Sequence, residues 1–254
     1  MLQSFGTSLA PIADRPTAAD WLAYFQSNHA NLYPINWQQP AQFTPLEKRY
    51  FSRSVAIFQL GESSEGHRLL KTARQWVANG GDPVWVDVLK WFVREEQRHA
   101  ADLGRLLDHE HVPRLKTHWA DSAFRHLRGG LNLELSLSIL LVAEVVGLLY
   151  ARALQDATAH PIARTIAQQI EWDESQHLRM QSTLLGLLRR DRSPRARRLT
   201  HALHRSVLWC TLRVIWPDHC AVFRAAGWTF RQFAHTAMTE LDQAIDPPTQ
   251  TAMP

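Results

Sequence analysis

Apolar residues recur along most of this chain at steps of three and four, the period of a helix buried on one face, and strand-like alternation is scarce. Four long segments carry the pattern. The first runs from Thr44 to about Ala78 with the stripe Phe51, Val55, Phe58, Glu62, then Glu65 or Gly66, and Leu69. It opens on Thr44-Pro45-Leu46-Glu47, a capping box with proline in the first turn. The second runs from Pro83 to about Asp108, with Trp85, Leu89, Phe92, Glu96, His99, Leu103 and Leu106 on one face and Asp82-Pro83 as its start signal. The third runs from Asn132 to Thr158. Between Ile139 and Tyr150 its only charge is Glu144, in line with Leu137 and Leu140 before it and Gly147 or Leu148 after. The fourth runs from Pro161 to about Arg190 through Ile166, Ile170, Glu174, His177, Met180, Leu184 and Leu188. The pattern predicts an all-α fold.

Shorter elements flank these four. A helix is expected from Thr17 to about His29, with Trp21 and Tyr24 inward. Two more are expected after Arg190, from Pro194 to Ile215 and from Asp218 to Ala244, broken at Trp216-Pro217. Leu208, Ile215, Phe223, Trp228, Phe230 and Phe233 are their packing residues. The segment His109 to Gly130, with a short helical stretch from Trp119 to Arg128, is long enough to cross the molecule between the two helix pairs. The division is therefore an extension at 1–43, a four-helix bundle at 44–190, and covering helices at 191–254 that belong to the same domain.

The charged residues on the inward faces carry the chemistry. Glu96-Gln97-Arg98-His99 and Glu174-Ser175-Gln176-His177 are Glu-x-x-His pairs that replace apolar residues on their stripes. With 11 Glu and 13 His in the chain, chance supplies about 0.6 such pairs, so the helical context is what adds weight. A Glu and a His three residues apart point the same way from a helix. Each pair follows a helix with an inward carboxylate, Glu62 in one half and Glu144 in the other. Glu65 rivals Glu62, lying on nearly the same face one turn on. Two such helix pairs facing each other form a site for two transition-metal ions.

Glu96 and Glu174 are expected to bridge the metals, Glu62 and Glu144 to be terminal ligands, and His99 and His177 to give one nitrogen each. Four carboxylates balance two divalent cations, and mixed oxygen and nitrogen ligation suits iron or manganese, or one of each. Glu95 and Asp173 stand before the bridging glutamates, placed to accept the free ring N–H of the histidine on the opposite helix, with Arg98 to hold them. Glu and His can also pair in a core merely to stabilise it, but six such groups without metal are costly.

The runs Glu95-Glu96-Gln97-Arg98-His99 and Asp173-Glu174-Ser175-Gln176-His177 resemble the paired signatures of ferritin-like di-iron carboxylate proteins, over roughly Thr44 to Arg190. The resemblance is nearest to the O2-activating branch: acyl-carrier-protein desaturases, bacterial di-iron monooxygenases and arylamine N-oxygenases. It implies an antiparallel four-helix bundle with a long crossover, two iron ions, O2 as co-substrate, and a reductase or ferredoxin as electron donor. It also implies oxidation of a largely apolar substrate, free or carrier-bound, by desaturation, hydroxylation or N-oxidation. The chain departs from the pattern at Gln176, where the family often has Arg. Gly147 and Leu148 stand where many of these oxygenases have a Thr, and Ile170 stands where arylamine N-oxygenases have a further His. Gly147, Leu148 and Trp172 are candidates for a substrate cavity beside the metals.

The remaining features change this picture little. The run Arg189, Arg190, Arg192, Arg195, Arg197, Arg198 and Arg205 faces only Asp191 in acid. It could receive an acidic carrier protein, a phosphate or a tRNA, although a solvated surface between helices is the simpler reading. The net charge of +4 does not force a nucleic-acid role, and Cys210 and Cys220 are too few for a disulfide framework. The apolar run from Leu137 to Leu154 is long enough to raise the question of a membrane span, which Glu144, Ser138 and Arg152 argue against. No secretory signal is evident, so a cytoplasmic location is expected, as monomer or homodimer. The alternative functions are ferroxidase or iron handling, and a non-catalytic metal-binding helical module.

Overall fold

The computed structural model describes residues 16–40, 42–63, 66–118 and 132–245, and among these the regular structure is all α-helix. In chain order the helices are α1 (Ala18–Ala30), α2 (Pro45–Glu62), α3 (His67–Ala78), α4 (Val84–His109), α5 (Leu133–Ala157), α6 (Pro161–Leu188), α7 (Pro194–Ala225) and α8 (Phe230–Ile245). Their starts follow from side chains that satisfy the first free amides. Thr17 with Asp20 and Thr44 with Glu47 form reciprocal capping boxes. Asn132 caps α5 through the amide of Leu135, and Ser193 caps α7 through that of Ala196. At α6 the cap is an imidazole, His160 Nδ1, accepting from Ala163 N–H at 3.2 Å.

α4 lies against α1, α2, α3 and α6, and α5 lies against α3, α6, α7 and α8. α6 turns back along α5 after the short link Thr158–His160. A single apolar core runs through these contacts from Trp21 and Phe25 of α1 to Phe223 and Phe233 of α7 and α8. α5 is long and apolar enough to cross a membrane, but 72% of its most apolar stretch is buried by the other helices, as in a core helix.

The first long helix of the sequence pattern is two helices. α2 stops at Glu62 and α3 resumes at His67. Ser63 turns its hydroxyl back onto the carbonyl of Leu60 at 2.6 Å, in competition with the helical bond. Gly66 then adopts φ +65°, and a Cβ built there would lie 2.4 Å from Val93 Cγ2 on α4. The apolar spacing alone does not reveal this, because α3 resumes with Leu69 and Ala73 still facing inward. Glu65 and the stretch Trp119 to Arg128 lie outside the described residues.

The expected break at Trp216-Pro217 is absent, and α7 runs through Pro217 to Ala225. Pro217 and Arg213 are both exposed, so the carbonyl that loses its donor faces water. The helix ends ten residues later at Gly227, whose φ is +82°. There Gly227 N–H bonds the carbonyl of Arg224 at 3.0 Å and Trp228 N–H that of Phe223 at 2.8 Å. Trp228 also packs on the Phe223 ring, completing a Schellman end.

Gly66→Ala should cost at least about 2 kcal/mol, from the left-handed backbone and the clash with Val93. Combined with Val93→Ala, the total loss should be smaller than the sum of the two single losses, as read by urea unfolding. Additive losses would mean that α3 does not approach α4 at this point.

Candidate metal centre

The inward faces of α2, α4, α5 and α6 bring Glu62, Glu96, His99, Glu144, Glu174 and His177 into one cluster. Glu62, Glu96, His99 and Glu174 offer ligand atoms that lie within 4.8 Å of one another, and so do Glu96, Glu144, Glu174 and His177. Glu96 and Glu174 belong to both groups. His99 Nδ1 is 3.6 Å from Glu96 Oε1, 3.6 Å from Glu174 Oε1 and 3.8 Å from Glu62 Oε2. His177 Nδ1 is 3.2 Å from Glu96 Oε1, 3.3 Å from Glu144 Oε2 and 3.7 Å from Glu174 Oε2. Five of the six residues are buried, and Glu96 is nearly so.

The outer nitrogens of both histidines are held from across the cluster. His99 Nε2, on α4, lies 3.0 Å from Asp173 Oδ2 on α6, and His177 Nε2, on α6, lies 2.9 Å from Glu95 Oε2 on α4. Donation of Nε2–H to these carboxylates leaves the Nδ1 lone pairs pointing inward. Arg98 also bonds Asp173, and Gln169 donates to it at 3.0 Å. Gln181 donates to Glu144 Oε1 at 2.8 Å. Gln176 stays out of the cluster, bonding Ser175 and Arg179.

Asn28 of α1 is the functional residue that sequence reasoning missed. Its buried Nδ2 donates to Glu95 Oε1 and to Asp173 Oδ1, both at 2.7 Å, tying together the two carboxylates that orient the histidines. The signal was present, since Asn28 continues the inward stripe of Trp21 and Phe25. A polar residue at such a position needs a buried partner.

Burial, then repulsion from Glu96, pushes the Glu62 carboxyl up to about 8. Burial and Glu144 push Glu174 well above the usual carboxylate range. Burial acts the same way on Glu144, but the nearness of Glu174 and His177, with the hydrogen bond from Gln181, outweighs it and holds Glu144 low. Burial disfavours charge on His99 too, yet Asp173 and Glu62 hold its imidazole up to about 9. Without a cation, protons shared among these groups therefore relieve the crowded negative charge.

Among the described residues several buried side-chain atoms have no hydrogen-bond partner, and four of them belong to the six Glu and His of the cluster: His99 Nδ1, His177 Nδ1, Glu96 Oε1 and Glu174 Oε2. Buried polar atoms are rarely left so. These four atoms, two imidazole nitrogens and two oxygens of the shared glutamates, face one another where a metal ion could be held. The cluster of His109, Glu110 and His160 makes the contrast. There Glu110 accepts from both imidazoles, at 3.1 and 3.0 Å, and from Phe43 N–H at 3.0 Å. His160 uses its other nitrogen as the helix cap, so that cluster is a structural tie with no donor to spare.

A cavity of about 440 Å³ opens on the carboxylate side. Glu62, Glu96, Glu144 and Glu174 line it, with Phe58, Phe92, Ile139 and Leu140 among its apolar walls. Gly61 near the end of α2, and Gly66, His67 and Arg68 at the start of α3, line it as well. Gly147 faces it, and a Cβ there would come within 3.3 Å of the Glu174 carboxyl carbon. Two sequence-expected cavity residues lie elsewhere. Leu148, one step round the helix from Gly147, packs in the core, and Trp172 is 40% exposed, since its neighbour Asp173 takes the inward position.

The arginine run is largely committed internally. Arg189 bonds Glu134 at 2.7 Å and Ser138 at 2.6 Å, Arg192 bonds Glu134 at 2.6 Å, and Arg197 bonds the carbonyl of Arg190 at 2.7 Å. Arg205 pairs with Asp242. Arg190, Arg195 and Arg198 remain exposed. The partners Glu134 and Asp242 are distant in sequence, which is why the run reads as unbalanced along the chain.

Comparison with models of protein families, with curated proteins and with solved structures finds no match to this chain.

Asn28→Ala should lower affinity for Fe(II) or Mn(II) by about 10–100-fold, the usual effect of losing support behind a ligand. Competition against a fluorescent chelator measures it. Unchanged affinity would show that Asn28 serves α1 packing only.

Proposed function

We propose that this chain is a ferritin-like di-iron protein that activates O2 to oxidise a largely apolar organic substrate. The observation that supports this best is the set of unpartnered buried atoms on two histidines and two glutamates, facing each other at the wall of an apolar cavity. In this reading α2 with α3 and α4 form one antiparallel pair, and α5 and α6 the other.

Glu62 and His99 would hold one ion, Glu144 and His177 the other, and Glu96 and Glu174 would serve both. The carboxylate and imidazole donor set fits iron, with manganese or a mixed pair as the nearest substitutes. Bound in this way, the iron pair supplies the reducing electrons and the O2 affinity that no side chain of the chain has.

The protein's part is placement and exclusion. Asp173 and Glu95 keep the Nε2 protons, so that both Nδ1 atoms stay available. Phe25 and Phe92 pack against the His177 ring, keeping water from the imidazole side. On the carboxylate side Phe58, Phe92, Ile139 and Leu140 offer an apolar surface to a substrate. Gly147 leaves room there and brings no hydroxyl, so a threonine-assisted proton route is not part of the proposal. A cavity of this size beside the cluster favours an organic substrate over iron storage, which needs no such space. A reductase or ferredoxin as electron donor and a cytoplasmic location belong to the same proposal. The reaction class is one of desaturation, hydroxylation or N-oxidation.

The metal-free chain loaded anaerobically should bind two Fe(II) per molecule and melt several degrees higher, because metal binds only the folded site. Glu144→Ala should retain about one, in the group of Glu62, Glu96, His99 and Glu174. Exposure to O2 should then give a transient visible spectrum by stopped flow. Two bound irons with ferric product but no oxidation of any apolar additive would favour iron handling, and failure to bind two metals would remove the reading.

A further inference from the structure

The cavity has a second polar feature away from the carboxylates. His219 of α7 lines it and is buried. Its Nδ1 lies 2.8 Å from Ser54 Oγ on α2, and Ser54 Oγ lies 2.9 Å from Tyr150 Oη on α5. The three groups form a chain buried at the Tyr150 end, where Phe58 and Phe223 pack on the phenol ring. His219 Nε2 makes no hydrogen bond among the described residues.

The direction of this chain is decided by counting hydrogens. Tyr150 and Ser54 each carry one hydroxyl hydrogen, and neutral imidazole carries one on a single nitrogen. If Tyr150 donates to Ser54 and Ser54 donates to Nδ1, every hydrogen behind the ring has an acceptor, and the imidazole proton must sit on Nε2. In the opposite direction Nδ1–H donates to Ser54 and Ser54 to Tyr150, whose own hydrogen is left without an acceptor in the core. A buried donor left unmade is the costlier state. Burial, with His118 alongside, holds His219 down to about 3, so the ring is neutral at ordinary pH. Burial also raises the Tyr150 phenol, which stays protonated. The titratable neighbours of the ring, Asp218 and His118, face each other at 3.3 Å.

We infer that His219 presents an Nε2–H donor into the cavity and selects ligands with an uncharged hydrogen-bond acceptor, a carbonyl, ether or hydroxyl oxygen, on an otherwise apolar skeleton. Tyr150, whose ring packs 5.0 Å from that of His219, follows Glu144 by six residues on α5. Tyr150 therefore sits roughly 9 Å along the helix axis from Glu144, which sets the His219 end of the cavity apart from the carboxylates. A fixed neutral donor has nothing to offer an ammonium group and no charge with which to hold a carboxylate. The ligand class is thus a mostly apolar molecule with an uncharged polar oxygen at a distance from the part lying at the carboxylates. As a substrate assignment this rests on the oxidase reading, but the recognition itself needs no metal.

Displacement of an apolar fluorescent dye from the full metal-free chain tests it, with butylbenzene, butyrophenone and 4-phenylbutylammonium as probes. The first two share one carbon skeleton and differ in a carbonyl. The affinity ratio of butyrophenone to butylbenzene should fall about five- to tenfold in His219→Phe, and in part in Ser54→Ala, which frees the imidazole to change tautomer. The ammonium probe reports on the carboxylates that line the same cavity, and its affinity should not change in His219→Phe. In the wild-type chain, 15N NMR of the histidine side chains should show the Nε2–H tautomer for His219 at neutral pH, a readout that does not depend on any variant folding. An Nδ1–H tautomer, or an unchanged ratio in folded His219→Phe, overturns the inference. Failure of the chain to bind two irons would leave these results standing and remove only the oxidase reading, so the two can fail separately.

Discussion

Everything in this fold is arranged around negative charge taken out of water. Glu62, Glu144 and Glu174 are buried beside the nearly buried Glu96, and Glu95 and Asp173 are buried behind the histidines. A single ionised carboxylate moved to the interior is destabilised by several kcal/mol unless it is compensated. The chain compensates the outer pair with its own groups, namely Asn28, Arg98, Gln169 and the two imidazole Nε2 atoms. For the inner four it supplies less. Gln181 reaches Glu144, and the remaining relief comes from shared protons, while the innermost oxygens and nitrogens face one another unpaired. The protein solvates the outer carboxylates with its own donors and leaves the inner ones close enough together to hold a metal ion.

The two halves of the cluster solve the same problem differently. Asp173 draws on a guanidinium, an imidazole and two amides, whereas Glu95 has only His177 and Asn28, because the position equivalent to Arg98 is Gln176 and turns away. That asymmetry explains why α1 is part of the site although it carries no ligand. Without Asn28, Glu95 would hold its histidine with no other donor, and His177 would lose part of what fixes its ring.

The break between α2 and α3 connects the backbone to the cavity. A straight helix would carry its wall unbroken past Glu62. Instead the chain leaves the helix at Ser63 and re-enters after Gly66, pressed against Val93, and Gly61 and Gly66 line the cavity with Glu62. α7, unbroken at Pro217, is long enough to carry both Thr211 and His219 along the opposite wall.

The sequence by itself determined the helical class, three of the four long amphipathic segments, and the inward places of Glu96, His99, Glu144, Glu174 and His177, with Glu62 left beside its rival Glu65. Each of these depends on spacing within one helix, where three or four residues set which side chains share a face. It also displayed Asn28 on an apolar stripe, although nothing local names the partners, which come from α4 and α6. Tertiary structure decided the rest. Gly66 needs Val93 of another helix to make sense, and Pro217 is tolerated because its face of α7 meets water. Arg189 and Arg192 share the carboxylate of Glu134, more than fifty residues away in sequence, so part of a basic run in one dimension is paired in three. The division between Gly147 at the cavity and Leu148 in the core turns on one step of helix rotation, which only packing against α6 and α7 fixes.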